Sequence, residues 1–170
     1  LSLKREKLSK KKKQKKAARH NLKVKKPSDR QLADLVALYQ SGRFNDAEKL
    51  ATTMSQEFPT HQLAWKVLGA VLAAKGNASQ ALNANQSAVA LAPQDASAHS
   101  NLGNTLKDLG RLEDAEGSYK EAIALSPTFA EAHINLGATL QEMGRLEEAE
   151  ASLRQAIALT PDCADAHNNL

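Results

Sequence analysis

One cysteine, Cys163, stands in 170 residues. No disulfide can close within the chain, and a reducing compartment, the cytoplasm, is the expected location. Aromatic side chains are scarce, 4% against 42% hydrophobic residues. That excludes a core built on rings and leaves Leu and Ala to form one, which favours helices. No stretch approaches about 18 uninterrupted apolar residues, so nothing reads as a membrane span. The basic N-terminus lacks the apolar run of a signal peptide. The chain begins at Leu1 rather than Met, as a fragment or a processed product would. A Gly-rich phosphate loop is missing too, since every glycine except Gly117 is accounted for by a turn or a helix contact.

Charge is present but unevenly placed. The net +4 divides into two objects: residues 1–27 carry thirteen Lys or Arg and one acid, Glu6, for +12, and the remainder carries ten basic and eighteen acidic residues, for −8. The first stretch has too little apolar side chain to offset the entropy of ordering, and its like charges repel. It reads as a disordered or transiently helical tail ending at Pro27. As a function it suggests a patch for a polyanion, whether nucleic acid, anionic lipid or an acidic protein. A Lys run without interleaved aromatics is a weak signal for such a patch, and the alternative is a solubilising tail or one that folds back on the acidic remainder.

From Ser28 onward the chain repeats. Pro59, Pro93, Pro127 and Pro161 are 34 residues apart, as are Gly42, Gly76, Gly110 and Gly144, and Ala47, Ala81, Ala115 and Ala149. Proline ends a helix, and glycine closes a tight turn in the left-handed conformation. Each unit therefore reads helix, turn, helix, break. The units are 28–61, 62–95, 96–129 and 130–163, with a partial fifth from 164. First helices are predicted over Gln62–Ala74, Ala96–Leu109 and Ala130–Met143, and second helices over Ala78–Leu91, Leu112–Leu125 and Leu146–Leu159. Gly69, Gly103 and Gly137 each lie between two leucines on one face and allow a neighbouring helix to approach. One such pair cannot bury both of its faces, so pairs must stack into an all-α superhelical solenoid of antiparallel helix pairs with a concave side.

Trp65, Leu68, Gly69, Leu72, Ala81, Ala88 and Pro93 in one unit, and Leu102, Gly103, Leu106, Ala115, Tyr119, Ala122 and Pro127 in the next, resemble the tetratricopeptide repeat (TPR) family over Ser28–Leu170. The first unit departs most, with Asp34 and Leu35 where its successors have Leu and Gly, as befits a terminal repeat. Within the family, Tyr119–Gly144 is most similar to the repeat half of O-linked N-acetylglucosamine transferases. Similar arrays also precede bacterial sulfotransferase and methyltransferase domains. The resemblance implies a right-handed superhelix and a protein-protein interaction scaffold that binds extended peptides in a concave groove, or alternatively the substrate-recruiting module of a larger glycosyltransferase or sulfotransferase.

Asn101, Asn135 and Asn169 recur once per unit, each two residues after a His, and Val67 interrupts the series in the second unit. On the concave face such amides can read a peptide main chain. In the transferases the chain resembles, an asparagine ladder holds substrate peptide. The alternative is that they bridge neighbouring repeats. With Asn104 these residues form the candidate peptide-binding set. The carboxylate clamp of chaperone-binding relatives is absent. Its three windows here read Leu32, Val36, Val67, Ser97, Asn101; then Lys66, Ala70, Asn101, Glu131, Asn135; then Ser100, Asn104, Asn135, Asp165, Asn169. The asparagines are present, but apart from Lys66 in the second window the cationic partners are not.

No catalytic constellation emerges. His99, His133 and His167 lie one repeat apart, about 10 Å by helix packing, too far to share a metal at about 2 Å each. They occupy the register of Trp65, which points to packing. Cys163 has no base or oxyanion donor implied beside it. No cofactor is expected, and this chain is read as a non-enzyme. Ala164–Leu170 match the start of another repeat. We expect the array to continue beyond Leu170 and Leu153 and Ile157 to be uncovered without that continuation.

Overall fold

The computed structural model describes residues 26–162 together with 164, 168 and 169. The basic segment up to residue 25, Cys163 at the end of the fourth unit, and residues 165–167 and 170 of the partial fifth lie outside the described residues. Eight described helices run in chain order: α1 (Asp29–Gln40), α2 (Phe44–Glu57), α3 (Gln62–Ala74), α4 (Ala78–Leu91), α5 (Ala96–Asp108), α6 (Leu112–Leu125), α7 (Ala130–Glu142) and α8 (Leu146–Leu159). They pair as α1–α2, α3–α4, α5–α6 and α7–α8, and each pair stacks on the one before. The result is an all-α solenoid.

Local chemistry explains the boundaries. Ser28 opens α1 with a capping box, its hydroxyl accepting from the Gln31 N–H while the Gln31 side chain accepts from the Ser28 N–H. The turns inside the pairs close through Gly42, Gly76, Gly110 and Gly144 at φ 71–77°, a region that any side chain would strain. The second helices end two residues before each proline. The residue between, such as Ala92 or Ser126, is driven out of helical geometry to φ −141° or −142° because the proline ring crowds the backbone before it. The first helices α5 and α7 end one residue earlier than expected. Leu109 and Met143 serve as C-caps, and Gly110 and Gly144 then turn the chain back.

Packing within a pair is a match of sizes. A methyl group on Gly103 would stand 2.6 Å from the Tyr119 ring, and one on Gly137 would stand 2.7 Å from Leu153 Cγ. Each glycine is thus the hole for a large residue on the second helix. Asn85 lies over Gly69 in the same way. In the first pair the sizes are exchanged: Leu35 takes the glycine register, Ala51 takes that of Tyr119, and both are fully buried in one cluster. The departure at Leu35 is therefore a compensated swap as well as a terminal feature. Leu153 is fully buried and Ile157 half-buried. The expectation that Leu153 would lie open fails because it packs inward over Gly137 of its own pair. Leu146 is the side chain left uncovered at this end, 65% exposed.

Successive first helices touch one another: α1 meets α3, α3 meets α5, and α5 meets α7. Successive second helices make no contact of comparable extent among the described residues. The first helices therefore line the inner curve of the array. Salt bridges between pairs, Lys75 to Glu48 and Arg145 to Glu116, tie neighbouring repeats together.

Candidate peptide-binding face

The inner face is defined by contacts that run from one first helix to the next. Asn135 on α7 donates through Nδ2 to Asn104 Oδ1 on α5 at 3.0 Å. Lys107 of α5 pairs with Glu142 of α7 at 3.3 Å. Gln141 Nε2 donates to the Asn169 carbonyl at 2.6 Å. Further back, Lys66 of α3 reaches Asp95 at 2.8 Å, just before α5 begins.

Asn104 is the hub. Its Oδ1 also accepts from the Tyr119 hydroxyl at 2.7 Å, and Tyr119 itself is fully buried. Burial, reinforced by the nearby Asp108 charge, pushes the Tyr119 hydroxyl up, so it remains a donor at any physiological pH. With Oδ1 bonded twice, Asn104 still has its two N–H donors to offer, and Asn135 keeps its Oδ1 acceptor. Asn101 differs. Its carbonyl accepts from Asn85 Nδ2 and Thr105 Oγ1, but its half-buried side chain makes no hydrogen bond among the described residues. Asn169 is half-buried and engaged through its backbone. The structure thus joins Asn104 to Asn135, leaves the Asn101 amide open, and places Asn169 beside Gln141. A hollow of about 550 Å³ on this face is lined by Lys107, Ile134, Asn135, Gln141, Glu142 and Asn169, among others.

Both lysines that reach between inner helices are committed. Lys66 donates to Asp95 and to Ser97 Oγ, and Gln62 adds a further hydrogen bond to Asp95. Burial alone raises the Asp95 carboxyl, but the Lys66, Gln62 and Ser97 hydrogen bonds and the Lys66 charge outweigh it. They hold it well below the usual carboxylate range. Lys107 is balanced by Glu142. Each of the two lysines is thus held by an acidic partner.

The ring register is structural. Trp65 Nε1 donates to the Pro59 carbonyl at 2.9 Å, and His99 and His133 Nε2 meet the Pro93 and Pro127 carbonyls at 3.0 and 3.1 Å. A carbonyl can only accept, so these nitrogens carry a proton and are not available as metal ligands. Among the described residues, no group of three His, Cys, Asp or Glu could hold a metal. No described helix is long and apolar enough to cross a membrane. Asn85 went unremarked in the sequence, although a polar residue at the register of Tyr119 and Leu153 was the available signal.

A tetratricopeptide repeat model matches residues 38–106 and again 106–170. The chain belongs to the tetratricopeptide repeat family. As a TPR array it is a protein-protein interaction scaffold. Among solved structures it is similar to a thermophilic TPR protein of Thermus thermophilus, at 28% identity and TM-score 0.70, covering 78% of this chain and 74% of that one. It shares its fold with MamA of Desulfovibrio magneticus, at 24% identity and TM-score 0.71, over 79% of this chain and 76% of that one. A chain of the APC/C hetero-tetramer Cut9–Hcn1 aligns at 21% identity and TM-score 0.78, over 82% of this chain but 28% of its own length. No curated protein sequence matches this TPR chain significantly.

Proposed function

We propose that this TPR array holds an extended peptide segment of a partner protein along its inner face. The observation that carries the reading is the open Asn101 side chain beside the Asn104–Asn135 pair. Together they offer amide donors and acceptors of the kind that pair with a peptide main chain, whatever its side chains. With Lys66 and Lys107 already balanced, neither demands an acidic tail. Asn169 extends the row.

The test is titration calorimetry with a peptide selected from a random library on the full chain. Asn101→Ala with Asn135→Ala should weaken capture by about 1–3 kcal/mol, the net worth of two lost hydrogen bonds. Helicity should change little, because neither side chain belongs to the buried core. Equal capture by the double variant would remove the asparagines from the mechanism.

A second reading rests on the similarity of Tyr119–Gly144 to the repeat half of O-linked N-acetylglucosamine transferases. Here the same face recruits substrate for a catalytic domain elsewhere in a longer protein, and the full open reading frame tests it directly. Residues 1–27 add a candidate polyanion site through their charge of +12.

A further inference from the structure

The core of the array is interrupted. One buried cluster, from Leu35 to Ala84, draws on α1 to α4, and a second, from Leu106 to Ala149, draws on α5 to α8. Where α4 meets α5, Asn85, Ser100 and Thr105 are buried beside the small Ala88 and Ala98; Thr139 repeats Thr105 at the next boundary, but Asn85 and Ser100 give way there to Tyr119 and Ile134. Asn85 fills the register that Tyr119 and Leu153 occupy in the next two pairs. Its Nδ2 donates to Thr105 Oγ1 at 2.9 Å and to the Asn101 carbonyl at 3.2 Å, while its Oδ1, turned toward Gly69 of α3, and the Ser100 Oγ are buried with no hydrogen bond to another described residue.

α4 packs on α5 as extensively as α2 on α3 or α6 on α7, so the boundary differs in the kind of side chain it buries and not in its extent. Leu82 reaches over to the second cluster from α4 and is only partly buried. On the inner side, Lys66 and Gln62 bond Asp95, in partly exposed positions. The balance of opening here differs from that elsewhere in the array. Separating two apolar surfaces exposes them to water at full cost, whereas separating α4 from α5 trades the Asn85 bonds to Thr105 and Asn101 for bonds to water and lets water reach Ser100 Oγ. The Asn85, Lys66 and Asp95 hydrogen bonds can likewise be replaced by water.

We propose that the α4–α5 boundary is a built-in hinge. The blocks α1–α4 and α5–α8 each move as a unit, and the array bends between them before it bends anywhere else. The hinge passes beside Asn101, whose carbonyl is held by Asn85, so bending shifts the inner face of the first block relative to the asparagines of the second. It stands whether or not that face takes peptide.

Lys49, Asn83, Gly117 and Ala151 are equivalent, exposed positions on the four second helices. Spin labels on cysteines placed there, in a chain with Cys163→Ser, measure three distances one repeat apart by pulsed electron resonance. The 83–117 distribution, which spans the hinge, should be broader than both 49–83 and 117–151. Three distributions of equal width would overturn the hinge. Asn85→Leu, which restores the apolar filling seen at Leu153, should narrow 83–117 and leave the other two unchanged. If the width across the boundary persists in that variant, the polar seam is not its cause and the assignment fails. The comparison in the unsubstituted background decides the first point even if Asn85→Leu folds poorly.

Discussion

Gly103 and Gly117 are both helical glycines, and a methyl group should affect them in opposite directions. Gly103 sits against the Tyr119 ring, so Gly103→Ala forces Tyr119 or the helix to shift and should destabilise the array by about 1–3 kcal/mol. Gly117 in α6 is exposed, with no neighbouring atom within 4 Å of where its methyl carbon would stand. There, Gly117→Ala gains helix propensity and should stabilise by about 0.5–1 kcal/mol. Urea unfolding of the two variants checks both signs. The contrast follows from repeat register: one glycine is a hole that the neighbouring helix fills, and the other has no partner. At this scale the sequence was partly legible. The spacing of Gly69, Gly103 and Gly137 announced close packing, and Trp65 marked the His register as structural. That an asparagine could bridge neighbouring repeats was legible as the alternative role, but that Asn135 meets Asn104 was not, because it depends on how far α7 slides along α5, which no period in one chain encodes. Asn85 was hidden for a related reason: only the depth of its register makes a polar side chain there notable.

Among elements, the start of α5 shows how one side chain joins a cap to a tie between repeats. Asp95 accepts from the Ser97 and Ala98 N–H groups and also receives Lys66 from α3. Its carboxyl is depressed in the folded chain, so its contribution is present above the unfolded value of about 3.9. That contribution fades as pH falls from there toward the folded value. The melting temperature should therefore drop as pH is lowered below about 4. Asn serves nearly as well as Asp as an N-cap, so Asp95→Asn isolates the charge. It should cost about 1 kcal/mol at neutral pH, a figure restrained by the partial exposure of the pair. It should also flatten this part of the acid dependence in a series of thermal melts. Helix limits were the most legible feature at this scale, since proline and glycine act through local sterics that a sequence carries in full. The misjudged fate of Leu153 came from the opposite situation. Whether a side chain points into its own pair or toward the next is set by packing across two helices.

Across the whole molecule, charge and shape are distributed differently. The segment 1–27 holds most of the basic residues, while the repeats are acidic overall. If that segment is open to polyanions, the full chain should bind heparin at low salt and release steeply as salt rises, through loss of counterion release. The chain trimmed to residues 28–170 should not bind. Failure of the full chain to bind would favour the fold-back of basic segment on acidic repeats.

The hydrogen bond from Trp65 to the Pro59 carbonyl has a spectroscopic consequence. Trp65 is the sole tryptophan, and it packs at the rim of the first buried cluster, on the α1–α4 side of the polar seam. Its emission therefore samples hydration in that block alone, whereas far-UV ellipticity sums all helices. A single fluorophore already present in the native chain thus distinguishes the melting of one half of the array from the melting of the whole, with no label attached.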